Sequence, residues 1–176
     1  SKTGQFFNDL FSADSTIQAE AAQSIFTMDF DENDVPGLIS AINRLSLSDK
    51  NYFDTKTRLI EALGSIRDTI KSEVVPNLGK LYEQTADTSR FQHQIIKSLV
   101  RQKTTASYDL LKELVLKDPP VLDNDYEYTN FFSGLSDSLK LTKRLFPDFL
   151  QLTILDDYKP VVIALLAKLL DSGYVN

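Results

Sequence analysis

Val74-Val75-Pro76-Asn77-Leu78 has a near-copy upstream at Val35-Pro36-Gly37-Leu38, and the two prolines lie 40 residues apart. An amphipathic run precedes each copy, from Ala19 to Phe26 before the first and from Leu59 to Ile66 before the second. A period of about 40 residues that contains two helices is typical of stacked helical hairpins. These stretches therefore predict an all-α chain built from helical repeats.

Apolar residues recur at intervals of three and four along most of the chain, and no strand-like alternation interrupts them. A short helix is expected from Thr3 to Phe11. In the first repeat Ser15 is the expected N-cap, with Gln18 three residues later, and Pro36 lies in the first turn of the second helix. The prediction is one domain, an α-α superhelix of about four hairpins over residues 1–176, with repeats near 12–47, 50–85, 88–118 and 126–172.

The C-terminal third follows the pattern less regularly. A helix is predicted that carries Tyr128, Phe131, Phe132, Leu135 and Leu139. Phe146-Pro147 resembles a degenerate third copy of the proline motif. The last helix is expected to begin at the cap Asp156-Asp157, to have Pro160 in its first turn and to end at Gly173. It is apolar on nearly every side, which favours burial between neighbours. An interface with a following domain or a second copy is the alternative.

Composition narrows the function. The chain has 176 residues, 42% of them hydrophobic, a net charge of -6 and a pI of about 4.8. That is enough apolar material for a core, and the acidic balance argues against a nucleic-acid partner. Without cysteine there is no disulfide or thiolate metal site. The longest apolar run, Val161 to Ala167, is too short to span a bilayer. A start at Ser1 without Met indicates a piece of a longer protein.

Ala62-Leu63-Gly64-Ser65-Ile66 followed by Val75-Pro76-Asn77-Leu78 resembles the HEAT-repeat pattern. HEAT repeats form α-solenoids that mostly bind other proteins. The resemblance covers the first two repeats best, the third moderately and the remainder weakly. It implies a solenoid with an extended docking surface.

A second resemblance concerns Ser107 to Leu111, the break at Asp118-Pro119-Pro120, and Leu135 to Lys143 leading to Phe146-Pro147. These stretches are similar to the helical C-terminal region of long bacterial envelope proteins, some with a TraB/GumN-type domain upstream. Such domains are thought to be metal-dependent peptidases that act through glycine and histidine motifs. None of those motifs is in this sequence, so no catalytic residue is carried over. The resemblance implies an accessory module in the bacterial periplasm or cell envelope.

Two acidic stretches raise the question of calcium. Asp29 to Asp34 places oxygen ligands at positions 1, 3 and 5 of an EF-hand loop, but lacks Gly at position 6 and Glu at position 12. Asp123, Asp125 and Glu127 repeat this spacing, with Gly134 where the bidentate ligand should be. Clustered acids before a helix are also typical of N-capping, which is the preferred interpretation. No metal or cofactor is expected, although whether these turns hold Ca²⁺ stays open.

One helix carries a candidate binding site. At about 100° per residue, Arg90, Lys97 and Arg101 fall in a narrow stripe with His93 beside it, opposite an apolar face. In an acidic protein this stripe predicts a docking strip for an acidic peptide or anionic group. The alternative is an ordinary solvated helix surface. His93, the only histidine, is expected on the surface, and no nucleophile motif accompanies it.

The favoured function is a non-enzymatic protein-interaction or scaffolding module of a larger bacterial protein, with no catalytic residue. Its partner is another protein or a flanking domain, and neither nucleic acid nor a membrane span is expected. Two alternatives remain: a regulatory or substrate-docking segment of an upstream peptidase-like domain, and an inert spacer. On the layer of second helices, the expected docking residues are Lys71, Lys80, Tyr82, Asp109 and Lys112.

Overall fold

A computed structural model describes residues 1–45, 52–67, 71–85, 89–122 and 131–173. The chain is all-α, as predicted: the described ranges contain nine α-helices and no strand. Four short 3₁₀ segments lie at Ile25–Thr27, Glu32–Asp34, Ser133–Ser138 and Leu150–Ile154. The α-helices are α1 (Lys2–Leu10), α2 (Ser15–Ser24), α3 (Val35–Arg44), α4 (Phe53–Ser65), α5 (Val74–Gln84), α6 (Ser89–Gln102), α7 (Thr105–Lys117), α8 (Leu139–Phe149) and α9 (Lys159–Asp171).

The chain divides into two compact units, Ser1–Asn77 and Leu78–Asn176, and the boundary falls inside α5. In unit 1, α1 packs on α2 and α3 packs on α4. In unit 2, α6 packs on α7 and α7 on α8. The four two-helix repeats and the single domain stay predictions.

The entry to α2 differs from the sequence expectation. Asp14, and not Ser15, is the N-cap: its carboxylate accepts hydrogen bonds from the backbone N–H groups of Thr16 and Ile17 at 2.9 and 3.4 Å. Gln18 is not part of a capping box, because its Nε2 donates to the carbonyl of Leu10 at 3.2 Å. A carboxylate one residue earlier serves the first-turn N–H groups as well as a hydroxyl would.

The predicted apolar face of α2 is only partly buried. Ala21 and Ile25 are in the core, whereas Ile17 is 40% exposed and Phe26 is 59% exposed. The α-helix ends at Ser24 and continues as a 3₁₀ turn, which rotates Phe26 away from the face that the 3.6-residue period assigns to it. One side of α2 is therefore left open.

The core of unit 1 lies between α3 and α4. Pro36 is in the first turn of α3, as predicted. Gly37 lets α1 approach, since a Cβ atom added there would lie 2.6 Å from the ring of Phe7. Lys56 is buried, and its Nζ donates to the carbonyl of Leu45 at the C-cap of α3 at 3.1 Å. The core side chains are Val35, Leu38, Ala41, Ile42, Leu59, Ile60 and Leu63.

The start of α5 and the end of α7 follow the predictions. Pro76 lies in the opening turn of α5. Thr104 caps α7 through a capping box with Ser107, and α7 ends at the C-cap Asp118. Both prolines follow immediately, because neither can continue an interior helical ladder.

The C-terminal third contains three corrections. In place of the helix predicted from Tyr128 to Leu139, the structure has a 3₁₀ segment at Ser133–Ser138, and Leu139 begins α8. Tyr128 lies outside the described residues. Pro147 lies in the last turn of α8, so the Phe146-Pro147 motif does not open a helix. Neither Asp156 nor Asp157 caps α9, because Tyr158 is the N-cap and makes no side-chain capping bond.

The last helix is neither fully buried nor fully exposed. Pro160 lies in its first turn, and Gly173, just past its end, has φ +78°. The predicted position of the proline and the predicted glycine at the end of the helix are both confirmed. Val161, Val162, Leu165 and Leu169 are buried. Ile163 and Leu170, on the other side, are 52% and 47% exposed. The favoured burial between neighbours therefore holds for one side of the helix only, and the alternative, an interface with a following domain or a second copy, stays a prediction.

Candidate functional site

The cationic stripe lies on the outer face of α6. Phe91, Ile95, Ile96 and Leu99 have no exposed surface, which fixes the opposite face of the helix in the core of unit 2. Arg90, Lys97 and Arg101 are all exposed. Amphipathic packing thus positions three cations on one side of the helix, as the sequence predicts.

His93 is not part of this exposed surface. It is only 5% exposed, and its Nε2 lies 2.8 Å from the carbonyl oxygen of Val121. Its ring meets that of Phe131 edge to face, with centroids 5.0 Å apart. The expectation of a surface histidine is wrong, because position 93 lies at the edge of the apolar face, where the residues after α7 cover it. The exposed stripe therefore consists of Arg90, Lys97 and Arg101, without His93.

A fourth cation follows the stripe in sequence. Lys103 is exposed and follows the end of α6 in the left-handed region, with φ 52°. Sequence reasoning missed it because it tested helical periodicity, and Lys103 lies outside the helix. A signal did exist: no Asp or Glu occurs between Asp87 and Asp109, although the chain contains 25 acidic residues. This acid-free stretch holds all four cations.

The residues that follow α7 are held by side chains from other helices. The Tyr82 hydroxyl donates to the carbonyl of Asp118 at 2.5 Å, and Gln92 Nε2 donates to the Asp118 carboxylate at 2.9 Å. The Tyr158 hydroxyl donates to the carbonyl of Pro120. With His93 on the Val121 carbonyl, these four side chains form what we call the connector clamp, because they fix residues 118–121. All four side chains are buried, and a buried polar group needs a hydrogen-bond partner, which residues 118–121 supply here.

Tyr82 is therefore a structural residue and not a docking residue, which corrects a second expectation. It is 2% exposed. Burial, and then the nearby negative charge of Asp118, raise the pKa of its hydroxyl well above the usual range for tyrosine. The hydroxyl stays protonated and continues to donate at any ordinary pH.

The other residues expected on the second-helix layer divide into two groups. Lys71 and Lys80 are exposed. Lys112 Nζ lies 3.1 Å from the Asp148 carboxylate, and Asp109 lies 3.3 Å from Arg144. These two pairs link α7 to α8, so Asp109 and Lys112 contribute to contacts between helices, and their docking role stays a prediction.

The acidic turn at 29–34 forms a helix cap, which is the interpretation that the sequence favoured over a calcium site. Asp31 accepts from the backbone N–H of Asn33 at 2.8 Å, and the Asp34 carboxylate accepts from the N–H of Asp31 at 2.8 Å. This capping box precedes α3. No group of three or more metal-ligating side chains occurs in the described part of the chain. Asp123, Asp125 and Glu127 lie outside the described residues.

Unit 1 contains an open groove between α2 and α4, with a volume of about 560 Å³. Ala19 and Ala22 line it on α2, and Thr55 and Arg58 line it on α4. The Arg58 guanidinium lies over the exposed ring of Phe26, 4.8 Å from its centroid, and also 3.3 Å from Glu61. Sequence reasoning did not foresee this groove.

Three comparisons were made, with protein-family models, with curated proteins and with solved structures, and none finds a match. The resemblances to HEAT repeats and to the helical regions of TraB/GumN-type envelope proteins stay predictions. Within the described residues, no helix is long and apolar enough to cross a membrane.

Proposed function

We propose that this chain is a non-enzymatic protein-interaction module that docks an acidic partner on the outer face of α6. The observation that carries the proposal is the exposed row of Arg90, Lys97 and Arg101 within an acid-free stretch of an otherwise acidic chain. Positive potential concentrated on one helix attracts acidic surfaces and raises the rate of encounter.

The proposal includes a HEAT-like arrangement of the helices. The helix pairs α3 and α4 in unit 1, and α6 and α7 in unit 2, pack on each other, as the paired helices of solenoid repeats do. In such an array each hairpin presents one outer helix, and the exposed side chains among those described on α6 are Arg90, Lys97 and Arg101. The module would work within a longer bacterial envelope protein, as scaffold or docking segment.

The absence of a catalytic role is also a proposal. His93, the only histidine, has its Nε2 on a backbone carbonyl and its ring on Phe131, so its position serves packing. The strongest alternative is a regulatory segment of an upstream peptidase-like domain. Deleting residues 1–176 from the longer protein would change peptidase activity only under that alternative.

The test compares capture of partners by three proteins. The parent is set beside R90E/K97E/R101E and beside K140E/K143E/K168E, a control that makes the same change of net charge at exposed lysines of α8 and α9. We expect one specific partner to be retained by the parent and the control and lost by the stripe variant.

Two results would contradict the proposal. A partner retained equally by all three proteins binds another surface, and a partner lost equally by both variants responds only to net charge. If none of the proteins retains a partner at low and at physiological ionic strength, the spacer interpretation replaces the interaction module. Circular dichroism of each variant checks that the helices are intact.

A further inference from the structure

The outward side of α9 carries a narrow apolar seam. Lys159, Ile163, Leu166 and Leu170 follow one another at steps of four, three and four residues, which places them within about 60° on an α-helix. Lys159, Ile163 and Leu170 are exposed, and Leu166 is half-buried. We call these four residues the α9 seam. It presents apolar side chains where the outer face of a helix usually carries polar ones.

The rest of unit 2 covers the opposite side of α9 and leaves the seam open. The helix packs on α8 and on the 3₁₀ segments at Ser133–Ser138 and Leu150–Ile154. Beside the seam, Pro160 and Ala167 are exposed and uncharged, so another helix can approach from that side. The buried side chains of α9 are Val161, Val162, Leu165 and Leu169.

The two ends of the seam differ in charge. Lys159 is the first residue of α9 and Asp171 is the last; both are exposed, and neither makes an ion pair with another described residue. The free carbonyl groups of the last turn add partial negative charge at the Asp171 end. A second α9 lying parallel to the first would place lysine against lysine and aspartate against aspartate. An antiparallel second α9 would place each charge against its opposite.

The seam is complementary to itself in the antiparallel direction. In a pair related by a twofold axis, a contact from residue i to residue j is repeated from j to i. When Ile163 faces Leu166 of the other copy, the same register places Lys159 against Leu170 and beside Asp171. The apolar side chains then meet in the middle, and an ammonium group lies near a carboxylate at each end.

We infer that two copies of this chain associate through the α9 seam, with the two helices antiparallel about a twofold axis. The seam is about 16 Å long, whereas stable dimers bury about 800 Å² on each copy, so the association is weak and depends on concentration. The exposed charges set the direction of pairing more than its affinity. This surface is separate from α6, so the inference does not rest on the proposed function.

Introduced cysteines measure the direction of pairing, because the chain contains none of its own. In the antiparallel pair the two copies of position 163 are offset by about 5 Å along the helix axis, and the two copies of position 170 by about 16 Å. A disulfide needs Cα atoms within about 7 Å. Under oxidation we expect Ile163→Cys to form cross-linked dimers and Leu170→Cys to form at least about tenfold fewer. Ser40→Cys, at an exposed position of α3, gives the background level.

A mixture checks that position 170 is able to react. Lys159→Cys and Leu170→Cys face each other in this register, so the mixed proteins should cross-link more than either protein alone.

Sedimentation velocity from about 10 µM to about 1 mM measures the association itself. Ile163→Glu/Leu170→Glu should weaken it at least about tenfold. Ile17→Glu/Phe26→Glu, which makes the same kind of change at two exposed apolar residues of unit 1, should leave it unchanged. Circular dichroism checks that the helices of each variant are intact.

A charge exchange tests the contact at the ends of the seam. Lys159→Glu and Asp171→Lys should each weaken the association, because each brings like charges together. The double variant Lys159→Glu/Asp171→Lys restores opposite charges and should recover part of the loss.

Three results would overturn the inference. The first is a parent that stays monomeric at about 1 mM, with Ile163→Cys no more cross-linked than Ser40→Cys. The second is equal cross-linking of Ile163→Cys and Leu170→Cys, which indicates a parallel pair. The third is association that survives Ile163→Glu/Leu170→Glu, because the interface would then lie elsewhere. All three concern the chain alone and leave the proposed docking on α6 unaffected.

Discussion

The two units of the chain differ in how completely their helices close on neighbouring segments. In unit 2 the connector clamp fixes residues 118–121 with four side chains, and aromatic rings from Phe131, Phe132, Phe149 and Tyr158 pack around it. In unit 1 the side of α2 that faces α4 remains a groove, and Phe26 is exposed beside it.

The difference teaches that a shared helical pattern does not determine how completely helices close on one another. Both units contain amphipathic helices with apolar residues at intervals of three and four. What distinguishes unit 2 is that several long side chains converge on one short segment, residues 118–121. In unit 1 the corresponding bonds are separate, from Gln18 to the Leu10 carbonyl and from Lys56 to the Leu45 carbonyl. Unit 1 has cation–π contacts at its surface, in which Arg44 lies over the ring of Phe11 and Arg58 lies over the ring of Phe26. Such exposed contacts stabilise less than buried ones.

The largest effect should come from the connector clamp. His93→Ala removes the hydrogen-bond donor to the Val121 carbonyl and the contact with Phe131, and leaves a cavity, so we expect a loss of about 3 kcal/mol in the free energy of unfolding. Urea denaturation measures it. Gln94→Ala, the neighbouring half-buried position, should cost less than about 0.5 kcal/mol. A small loss at His93 would show that the clamp is not what distinguishes unit 2.

A comparable position in unit 1 is Gly37. Gly37→Val would bring a side chain into the ring of Phe7, because even a Cβ atom would lie 2.6 Å from it. Overpacking of this kind costs about 2 kcal/mol, again measured in urea. Ser40→Val, which introduces the same residue at an exposed position of α3, is the control. Equal stability of the two variants would mean that α1 moves away freely and that unit 1 is open at this end too.

The two units should also respond oppositely to alkaline pH. Burial lowers the pKa of Lys56 from its ordinary value of 10.5. Folding therefore penalises its charged form, and the penalty disappears as pH rises through the lowered pKa towards 10.5. The raised pKa of Tyr82 has the opposite consequence: the unfolded state loses its proton above about pH 10 and the folded state does not, so stability falls.

Unfolding of the parent, Lys56→Met and Tyr82→Phe, measured from pH 8 to pH 10.5, separates these contributions. The stability of the parent relative to Lys56→Met should rise with pH across the range. Relative to Tyr82→Phe it should fall, beginning near pH 10. Parallel pH profiles for all three proteins would refute both assignments.

The smallest effects should come from the exposed ion pairs of α7 and α8. Asp109→Asn and Asp148→Asn each remove one pair, and we expect each to cost no more than about 0.5 kcal/mol. The cost should shrink in about 0.5 M salt because both pairs are solvent-exposed. A loss above about 1.5 kcal/mol that salt does not reduce would show that these pairs, rather than the clamp, hold unit 2 together.

Sequence periodicity predicted the helices well because the signals are local. Pro36 and Pro76 each fix φ at one residue, and Gly173 permits the left-handed φ that follows the last helix, so their positions could be assigned without tertiary structure. The C-terminal third was harder. Phe146-Pro147 has the composition of a helix start, but the preceding apolar residues already sustain α8, and Pro147 falls where the helix ends.

The candidate site was predicted in part for a similar reason. Arg90, Lys97 and Arg101 could be placed outside because a helical wheel separates them from Phe91 and Ile95. His93 lies at the boundary of that wheel, and Tyr82 lies on α5. The burial of both depends on what covers the helix edge. Their partners at residues 118–121 are 28 and 36 positions away in sequence, and no periodicity reports such contacts.

The connector clamp has a consequence for how this chain can vary during evolution. Three of its acceptors, at Asp118, Pro120 and Val121, are backbone carbonyls, which every residue type supplies. The donors are side chains that few residue types can replace. Related sequences should therefore tolerate substitutions at Val121 more readily than at Tyr82, His93 or Tyr158. Among related sequences, we therefore expect the residues that donate the hydrogen bonds to be conserved more strongly than the segment whose carbonyls accept them.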